Sequence, residues 1–314
     1  MPRLIQTACQ DAFELGDLVE TLETGGFDPE DEEAMAAFAE PLRRLANNRR
    51  FLGDLVIEEL KHHCSRQSAR NHYSSQVIIL HNTARDFVLR ANFWPAAADT
   101  VMVNSGREPF FYGVPHDHNF SFLTAGYLGP GYLSDYYEYD YSRVVGIPGE
   151  KVDLRFMERS RLSPGKVLLY RRHLDVHSQL PPDSLSVSLN ILAVSPGSEF
   201  CEQYSFDLER REVAGIINSS SLETMVRLAA HFGGGNGDDL VEWTARNHPS
   251  ERMRFAAWRA RASAAPDLEG RIAVYERAAA EPGAFVSQMA VREMRRLEET
   301  LPWFKARRDL VAEP

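Results

Sequence analysis

Three of the ten histidines in this sequence are spaced so that they could hold one metal ion. His116 and His118 stand two residues apart at the start of a segment with strand character. Because residues i and i+2 of a strand point to the same face, both imidazoles could reach one cation at about 2.1 Å. His177 lies in a later segment, after a turn at Pro164-Gly165 and a short strand, and is predicted to lie at the start of the next turn. The spacing therefore predicts a metal site formed by His116, His118 and His177.

Such a set of ligands would have a definite chemistry. Three neutral imidazoles leave coordination positions open on a ferrous ion, so a substrate and O2 could bind side by side. Neutral ligands also keep the site cationic, which favours an anionic or chelating substrate. Two simpler interpretations stay open: His116 and His118 could be a hydrogen-bonded polar pair, or the metal could be structural. Metal binding is favoured because histidines that face a buried interior are costly without a cation.

The segments around these histidines have the two-residue period of β-strands. Turn signals separate them, among them Gly126 to Gly131, Gly146 to Gly149 and Pro181-Pro182. The predicted strands are 76–81, 86–94, 118–124, 132–140, 152–157, 166–170 and 184–194. Short strands in series with no helix between them predict an antiparallel sandwich or barrel.

Helical patterns precede and follow this β region. Apolar residues recur at three- and four-residue spacing in 32–45 and 50–63. From about residue 208 the helical spacing returns, and the run Gly233 to Gly237 is predicted to be a flexible linker. The predicted helices beyond it are 239–247, 249–262, 268–280 and 284–299. The predicted organisation is a helical N-terminal segment (1–74), a β-barrel with the metal site (75–207) and an α-helical C-terminal region (208–314).

The histidines and their surroundings resemble the two sequence motifs of the cupin superfamily. His116 and His118 match the H-x-H of the first motif. Pro164-Gly165, His177 and Asn190 loosely match the second motif, in which a P-x-G turn is followed by one histidine and often an asparagine. The resemblance implies a mixed fold: a central all-β cupin barrel (a double-stranded β-helix or jelly roll) between helical flanks.

One detail of the first motif points to a particular branch of that superfamily. Cupins usually carry a glutamate a few residues after H-x-H, and Asn119 to Leu123 contain none. Thiol dioxygenases of the cysteine dioxygenase type bind iron with three histidines and no carboxylate. The chain resembles them over about residues 75–205, in Trp94 and then in the segments PHDH, DVHSQ and SVSLNILAVSP. This resemblance implies a non-haem Fe(II) cofactor, although another divalent transition metal is possible.

Arg90 is the candidate for gripping an anionic substrate. Arg90, Asn92 and Trp94 share one face of their strand by parity. The resemblance implies that Trp94 points into the barrel, and Arg90 would then do so as well. A buried arginine needs an anionic partner, which could be a substrate carboxylate or an internal acid, either Glu138 or Asp140.

Tyr127 is the second candidate for a catalytic role. It is one of three tyrosines close in sequence to the metal-binding strand, with Tyr112 and Tyr132. A tyrosine at the mouth of a barrel can donate a hydrogen bond to bound oxygen or to substrate. The alternative is a packing role in which only the hydroxyl group reaches water.

Other polar residues could complete the site. Glu138 could be a fourth ligand from a neighbouring strand, or a residue that supports the ligands from outside. His173 or His81 could replace one of the three histidines, although His173 beside two arginines suits a surface position. Asp175 or Gln179 could orient the ring of His177 by a hydrogen bond.

Composition narrows the classes of partner. The chain has 314 residues, 44% of them hydrophobic, and a net charge of -10, which argues against nucleic acid as the main partner. Cys9, Cys64 and Cys201 are too far apart to predict a disulfide framework. No segment looks like a signal peptide or a membrane span. We therefore expect a cytoplasmic protein that binds neither nucleic acid nor membrane.

The function expected from these features is that of an Fe(II)-dependent cupin oxygenase. It would use O2 on a small polar or amino-acid-like substrate, with the metal on three histidines. The main alternative is a non-catalytic metal-binding cupin that acts as a small-molecule sensor or interaction module. A different reaction on the same metal, such as isomerisation or elimination, is a third possibility. The helical regions could form a homodimer, cover the site or recognise a larger substrate.

Overall fold

A computed structural model describes residues 1–71, 73, 76–83 and 86–311. The strands in these residues are β1 (Arg3–Ile5), β2 (Val77–Asn82), β3 (Phe87–Trp94), β4 (Phe122–Leu128), β5 (Leu133–Glu138), β6 (Arg155–Arg161), β7 (Val167–Tyr170), β8 (Asp175–Leu180), β9 (Ser186–Ala193), β10 (Tyr204–Asp207) and β11 (Glu212–Ile216). The helices are α1 (Leu15–Thr24), α2 (Glu32–Ala36), α3 (Ala39–Asn47), α4 (Phe51–Lys61), α5 (Ser65–Arg70), α6 (Thr100–Ser105), α7 (Ser221–Phe232), α8 (Gly234–Asn247), α9 (Glu251–Ala264), α10 (Leu268–Ala279) and α11 (Ala284–Val311). The predicted boundary between residues 74 and 75 lies outside the described residues.

The strands form three sheets. One has six strands in the order β1-β7-β4-β9-β3-β2, one has three in the order β6-β5-β8, and β10 pairs with β11. All the strand pairs of the two larger sheets are antiparallel. The prediction of a mixed fold with antiparallel sheets and helices is therefore confirmed. Among the described residues none of these sheets closes on itself.

One face of the six-stranded sheet packs against the N-terminal helices. Alternate residues of its strands, such as Leu89, Leu123 and Leu189, belong to one buried cluster. Leu18 from α1 and Leu42 from α3 belong to the same cluster. Because successive side chains of a strand alternate between faces, the other set of alternate residues must point away from these helices.

The opposite face of the six-stranded sheet packs against the three-stranded sheet. Trp94 from β3, Phe122 from β4 and Tyr170 from β7 form a second buried cluster. Tyr136 from β5 joins it, and the hydroxyl groups of Tyr170 and Tyr136 lie 3.1 Å apart. The two larger sheets therefore meet face to face, and the space between them is aromatic.

The strands near the histidines differ from the prediction. The strand predicted at 118–124 begins only at Phe122, so both histidines of the H-x-H motif precede it. His177, predicted to lie in a turn, is the third residue of β8. Five of the six residues of β8 are buried, so it lacks the alternation of polar and apolar residues that marks a half-buried strand.

The structure corrects two other predictions of secondary structure. Residues 32–45, predicted as one helix, form α2 and α3. The β10–β11 hairpin extends to Ile216, where a helix was predicted from residue 208. The backbone amides of Glu209 and Arg210 donate to the side chain of Asp207, which closes the turn of that hairpin.

The chain forms two compact units. The first comprises Met1–Val144 and Lys151–Gly215, and the second comprises Val145–Glu150 and Ile216–Pro314. The second unit contains α7 to α11 around a core that includes Trp258. None of the described helices has both the length and the apolar character needed to cross a membrane.

The glycine run of the second unit is not the predicted linker. It begins α8 at Gly234, directly after α7. A Cβ atom on Gly237 would lie 2.3 Å from the carbonyl oxygen of Ala229, near the end of α7. Glycine is therefore required there because α8 starts in direct contact with α7.

A glycine between β4 and β5 gives a test of this fold. Gly131 and Gly197 both have a φ of +81°, but a Cβ on Gly131 would lie 1.9 Å from the carbonyl oxygen of Leu162, whereas a Cβ on Gly197 meets nothing within 4 Å. We expect Gly197→Ala to lower the free energy of unfolding by about 1 kcal/mol and Gly131→Ala by about 3 kcal/mol or more. Urea unfolding followed by tryptophan fluorescence measures both. Equal losses would contradict the close approach at Gly131.

Candidate metal centre

The three predicted histidines converge on one point. The Nε2 atom of His177 lies 3.0 Å from Nε2 of His118 and 3.2 Å from Nε2 of His116. One potential ligand atom from each residue falls within 4.8 Å of the others, and all three side chains are buried. The structure thus brings together residues that are far apart in the sequence and turns the same ring atom of each inwards.

Backbone hydrogen bonds hold the first and third histidines together. The amide of His116 donates to the carbonyl oxygen of His177 at 3.0 Å, and the amide of His177 donates to His116 at 2.9 Å. Residues that exchange both bonds in this way form a hydrogen-bonded antiparallel pair, so they lie directly opposite each other. On the second histidine, the carbonyl oxygen of His118 accepts from the amide of His173 at 2.9 Å.

Asp117 anchors the segment between the two histidines of the H-x-H motif. Its fully buried carboxylate accepts from the hydroxyl group of Tyr139 and from the amide of Tyr204, both at 2.6 Å. Its own amide donates to the carbonyl oxygen of Tyr204 at 3.1 Å. Because Asp117 is fixed towards β10, its neighbours His116 and His118 are turned the other way.

Contacts at the outer ring nitrogens constrain the imidazoles. Nδ1 of His116 lies 2.8 Å from the carbonyl oxygen of Val114, which can only accept, so Nδ1 carries the proton and Nε2 presents a lone pair to the cluster. The side-chain amide of Gln203 lies 3.3 Å from Nδ1 of His118. Nδ1 of His177 is buried and has no hydrogen-bond partner in the described part of the chain.

Burial keeps the three imidazoles neutral. It lowers the pKa of His116, against small opposing effects of the Val114 carbonyl and Asp117. Burial also lowers the pKa of His118 and His177 well below the usual value, and the neighbouring histidines add to the effect. Neutral imidazole is the form that binds metals, so the ligands need not lose protons at neutral pH.

The arrangement fits a divalent transition metal. With metal–nitrogen bonds of about 2.1 Å, two adjacent ligand atoms lie about 3.0 Å apart in an octahedral shell and about 3.4 Å apart in a tetrahedral one. The separations of 3.0 and 3.2 Å between Nε2 atoms match a shared metal shell. Without a cation, the inward lone pair of His116 would depend on an Nε2–H of a neighbouring ring, in a region closed to water where an unpaired polar atom is costly. His116, His118 and His177 are the residues that would hold the metal.

A row of polar side chains lies on the inner face of the six-stranded sheet. In the strand register Arg90 is paired with Asn190, and Asn190 with Thr124. Each has a buried atom without a hydrogen-bond partner among the described residues: Nε of Arg90, Nδ2 of Asn190 and Oγ1 of Thr124. Phe122 stands two residues before Thr124 on the same face of β4, and its ring lies 4.9 Å from the ring of His118, so this row lies close to the histidines.

Arg90 does not pair with the internal acids considered from the sequence. Glu138 pairs with Arg155 and Arg171, while the side chain of Asp140 accepts from Ser142. The guanidinium group of Arg90 instead lies 4.9 Å from the ring centroid of Tyr73. Its Nε–H has no hydrogen-bond partner among the described residues, so it can donate to another group on this face.

Several residues at the centre were not found from the sequence. The ring of Tyr170 lies 4.9 Å from that of His177, and its hydroxyl group is hydrogen-bonded to that of Tyr136. Burial raises the pKa of Tyr136 and Tyr170, so both stay protonated. Strand parity was the signal available: Tyr170 shares a face of β7 with Leu168, and Leu168 belongs to the cluster between the sheets.

Tyr127 is corrected as a site residue. It belongs to the cluster beneath the N-terminal helices, and its hydroxyl group donates to the carbonyl oxygen of Asn48 at 3.0 Å. The reason is parity, because Phe122 and Thr124 face the histidines and Tyr127 is an odd number of residues away from both. Tyr112 and Tyr132, the two tyrosines not chosen, lie in the cluster between the sheets.

The other candidates for the metal shell lie outside it. Partial burial would raise the pKa of Glu138, but hydrogen bonds from the chain's amino terminus, Arg155 and Arg171 outweigh it and lower that pKa to about 2. Nδ1 of His173 lies 3.7 Å from the Asp117 carboxylate, and its ring packs on Tyr141. The side chain of His81 lies 3.6 Å from Glu23.

The two predicted partners of His177 also differ from expectation. The carboxylate of Asp175 accepts three hydrogen bonds from Arg171, two from its guanidinium group and one from its backbone amide. The amide of Gln179 lies 3.3 Å from Nε2 of His177, the atom that faces the cluster, and not near Nδ1. Gln179 is therefore part of the cluster itself.

Comparisons with known proteins give only distant likenesses. No protein-family model matches the sequence, and no curated protein matches it significantly. The DMSP lyase DddQ from Ruegeria pomeroyi DSS-3 is similar over 39% of this chain and 52% of its own, with 11% identity and a TM-score of 0.23. The chain thus spans about half the length of that lyase.

A second solved structure is similar to the same extent. It is hydroquinone 1,2-dioxygenase from Sphingomonas sp. TTNP3 with 4-hydroxybenzoate bound, matched over 41% of this chain and 71% of its own, with 10% identity and a TM-score of 0.27. Likenesses at this level establish neither a shared activity nor a shared substrate.

Tyr127→Phe tests the new position of that tyrosine. The variant loses the hydrogen bond to Asn48, so we expect the free energy of unfolding to fall by about 0.5–1.5 kcal/mol. Because the hydroxyl group points away from the histidines, metal affinity should not change. Urea unfolding and a metal titration check the two statements. A variant of normal stability that no longer binds metal would contradict this placement.

Proposed function

We propose that this protein is an Fe(II)-dependent oxygenase of the cupin type, which uses O2 to oxidise a small anionic or amino-acid-like molecule. The observation that carries the proposal is the convergence of three buried, neutral histidines through their Nε2 atoms. The two antiparallel sheets that enclose them suit a double-stranded β-helix, the barrel of cupins. His116, His118 and His177 are the metal ligands in this proposal.

The chemical nature of the ligands supports iron. A set of three imidazoles without a cysteine or a carboxylate suits a borderline transition metal and disfavours calcium or magnesium, which prefer oxygen. When bound, a ferrous ion supplies the electrons that make O2 reactive and the open positions at which reactants meet. The protein keeps the three imidazoles neutral, holds their orientation and excludes water from them.

Arg90, Asn190 and Thr124 form the proposed substrate-binding row. Each has a buried polar atom without a partner in the described part of the chain, and the atoms of Arg90 and Asn190 are N–H donors. An arginine beside an amide donor is well suited to a carboxylate or a similar anion. An anionic group held there would place the rest of a small substrate next to the histidines.

The aromatic residues between the sheets would exclude water from the reaction. Phe122 stacks on Tyr170 with ring centroids 4.3 Å apart, and both rings lie within 6.3 Å of the ring of His118. Trp94 closes another side and donates to Ser188 at 3.0 Å. A site with such walls strengthens electrostatic contacts and protects reactive species from side reactions.

Metal content and oxygen consumption test the proposal. Protein loaded anaerobically with iron should hold about one Fe(II) per chain, and His118→Ala should weaken that binding by more than about 100-fold. Tyr127→Phe is the control, because its side chain lies on the face of the six-stranded sheet that packs against the N-terminal helices, away from the histidines. Oxygen uptake should appear with one member of a panel of amino acids, thiols and amines. Binding of metal without any uptake would instead favour the non-catalytic sensor.

Arg90 gives a separate test of the substrate class. Arg90→Gln removes the positive charge and keeps a polar side chain, so KM for an anionic substrate should rise by about 10-fold or more. Iron affinity should not fall, since Arg90 is not a ligand. Steady-state oxygen uptake measures the effect when the active compound is compared with an analogue that lacks its carboxylate. An unchanged KM for the anionic substrate would remove Arg90 from the proposed site.

A further inference from the structure

We infer that the side-chain oxygen of Gln179 is a fourth protein ligand of the metal, so that the centre has three histidines and one glutamine. This inference rests on the proposed metal site and adds a residue to it. It also explains why no glutamate follows the H-x-H motif: the oxygen donor comes from a different strand.

The position of Gln179 puts its side chain inside the cluster. It stands two residues after His177 on β8, so both side chains project from the same face of the strand. Gln179 is only 4% exposed, and its amide nitrogen lies 3.3 Å from Nε2 of His177. That separation falls between the spacings of adjacent ligand atoms in octahedral and tetrahedral shells, about 3.0 and 3.4 Å, so this end of the amide is at the distance of a ligand.

The backbone at Gln179 holds the side chain in register with the histidines. Its carbonyl oxygen accepts from the amide of Gly113 at 2.9 Å, and His177 exchanges hydrogen bonds with His116. The segment from Gly113 to His116 is therefore tied to β8 at both positions. The three side chains of His116, His177 and Gln179 consequently belong to one rigid unit.

The hydrogen bonding of the amide favours ligation. The oxygen Oε1 of Gln179 is buried and has no hydrogen-bond partner among the described residues. Once the lone pair of His177 Nε2 is given to a metal, that atom can no longer accept from the Gln179 amide group. A half-turn about the last side-chain bond exchanges the two ends of the amide and directs the oxygen towards the metal, which satisfies it.

The nearby carboxylates are already committed to other partners. Asp117 is held by Tyr139 and Tyr204, and Asp175 is held by Arg171. Glutamine therefore supplies the available oxygen. An amide is neutral, so the metal keeps its whole positive charge, and an anionic substrate is bound more strongly than it would be beside a glutamate ligand.

Titration of the metal-free full-length protein with Co(II), against a competing chelator, tests the inference without any substrate. Gln179→Ala should weaken Co(II) binding by about 10–100-fold. Gln179→Glu should strengthen it by about 10-fold or more, because a carboxylate adds a negative charge to the ligand set. The visible absorption bands of bound Co(II) should shift in both variants. Ser178→Ala is the matched control. Ser178 stands between His177 and Gln179 and points to the other face of β8, so this variant should change neither the Co(II) affinity nor the absorption bands.

The variant with glutamate separates ligation from a packing role. If Gln179 only filled space, an unpaired carboxylate buried there would destabilise the site, and Co(II) binding would weaken. Weaker binding in Gln179→Glu, or unchanged spectra in both variants, overturns the inference while the three-histidine site stands. If the parent protein binds no Co(II), both the metal site and the inference fail.

Discussion

The structure between the two sheets depends on one electrostatic constraint. Three imidazole nitrogens face one another at 3.0–3.2 Å in a place that water does not reach. His116 must present a lone pair, since its other nitrogen donates to Val114. Burial keeps each ring neutral with a single N–H, so wherever two Nε2 lone pairs face each other they repel. A cation that accepts all three lone pairs removes the conflict, and the surrounding structure is organised so that it can.

The rings stay in this unfavourable arrangement because the backbone around them is fixed independently. The exchanged hydrogen bonds between His116 and His177 use the main chain only. Asp117 is bound by partners that are not part of the cluster, Tyr139 and Tyr204. The folding energy of the sheets and of the β10 segment therefore sets the ligand positions in advance, as a preorganised metal site requires.

Local periodicity was enough to predict part of this site from the sequence. The strand period identified β3 and β9, and parity put Arg90 on the same face as Trp94, which the cupin resemblance had turned inwards. The same rule, applied to β4, would have excluded Tyr127. It could not identify β8, which is buried on both faces and has no polar–apolar alternation, so Gln179 was predicted only as a residue that could orient His177. Nor could it find Tyr204, since the contact with Asp117 joins residues that no local pattern relates.

Charge balance then limits what the proposed centre can bind. A divalent metal with only neutral ligands, next to Arg90, places three positive charges in a region of low dielectric, and such charges need compensation. Of the three nearby acids, Asp175 and Glu138 are paired with arginines, whereas Asp117 keeps its negative charge because its hydrogen-bond donors, the Tyr139 hydroxyl group and the Tyr204 amide, are neutral. One carboxylate does not balance three positive charges, so the rest of the compensating negative charge must arrive with the substrate. A neutral molecule of the same shape would leave the positive charges of the metal and Arg90 without compensation. The proposed centre would therefore bind an anion in preference to a neutral molecule.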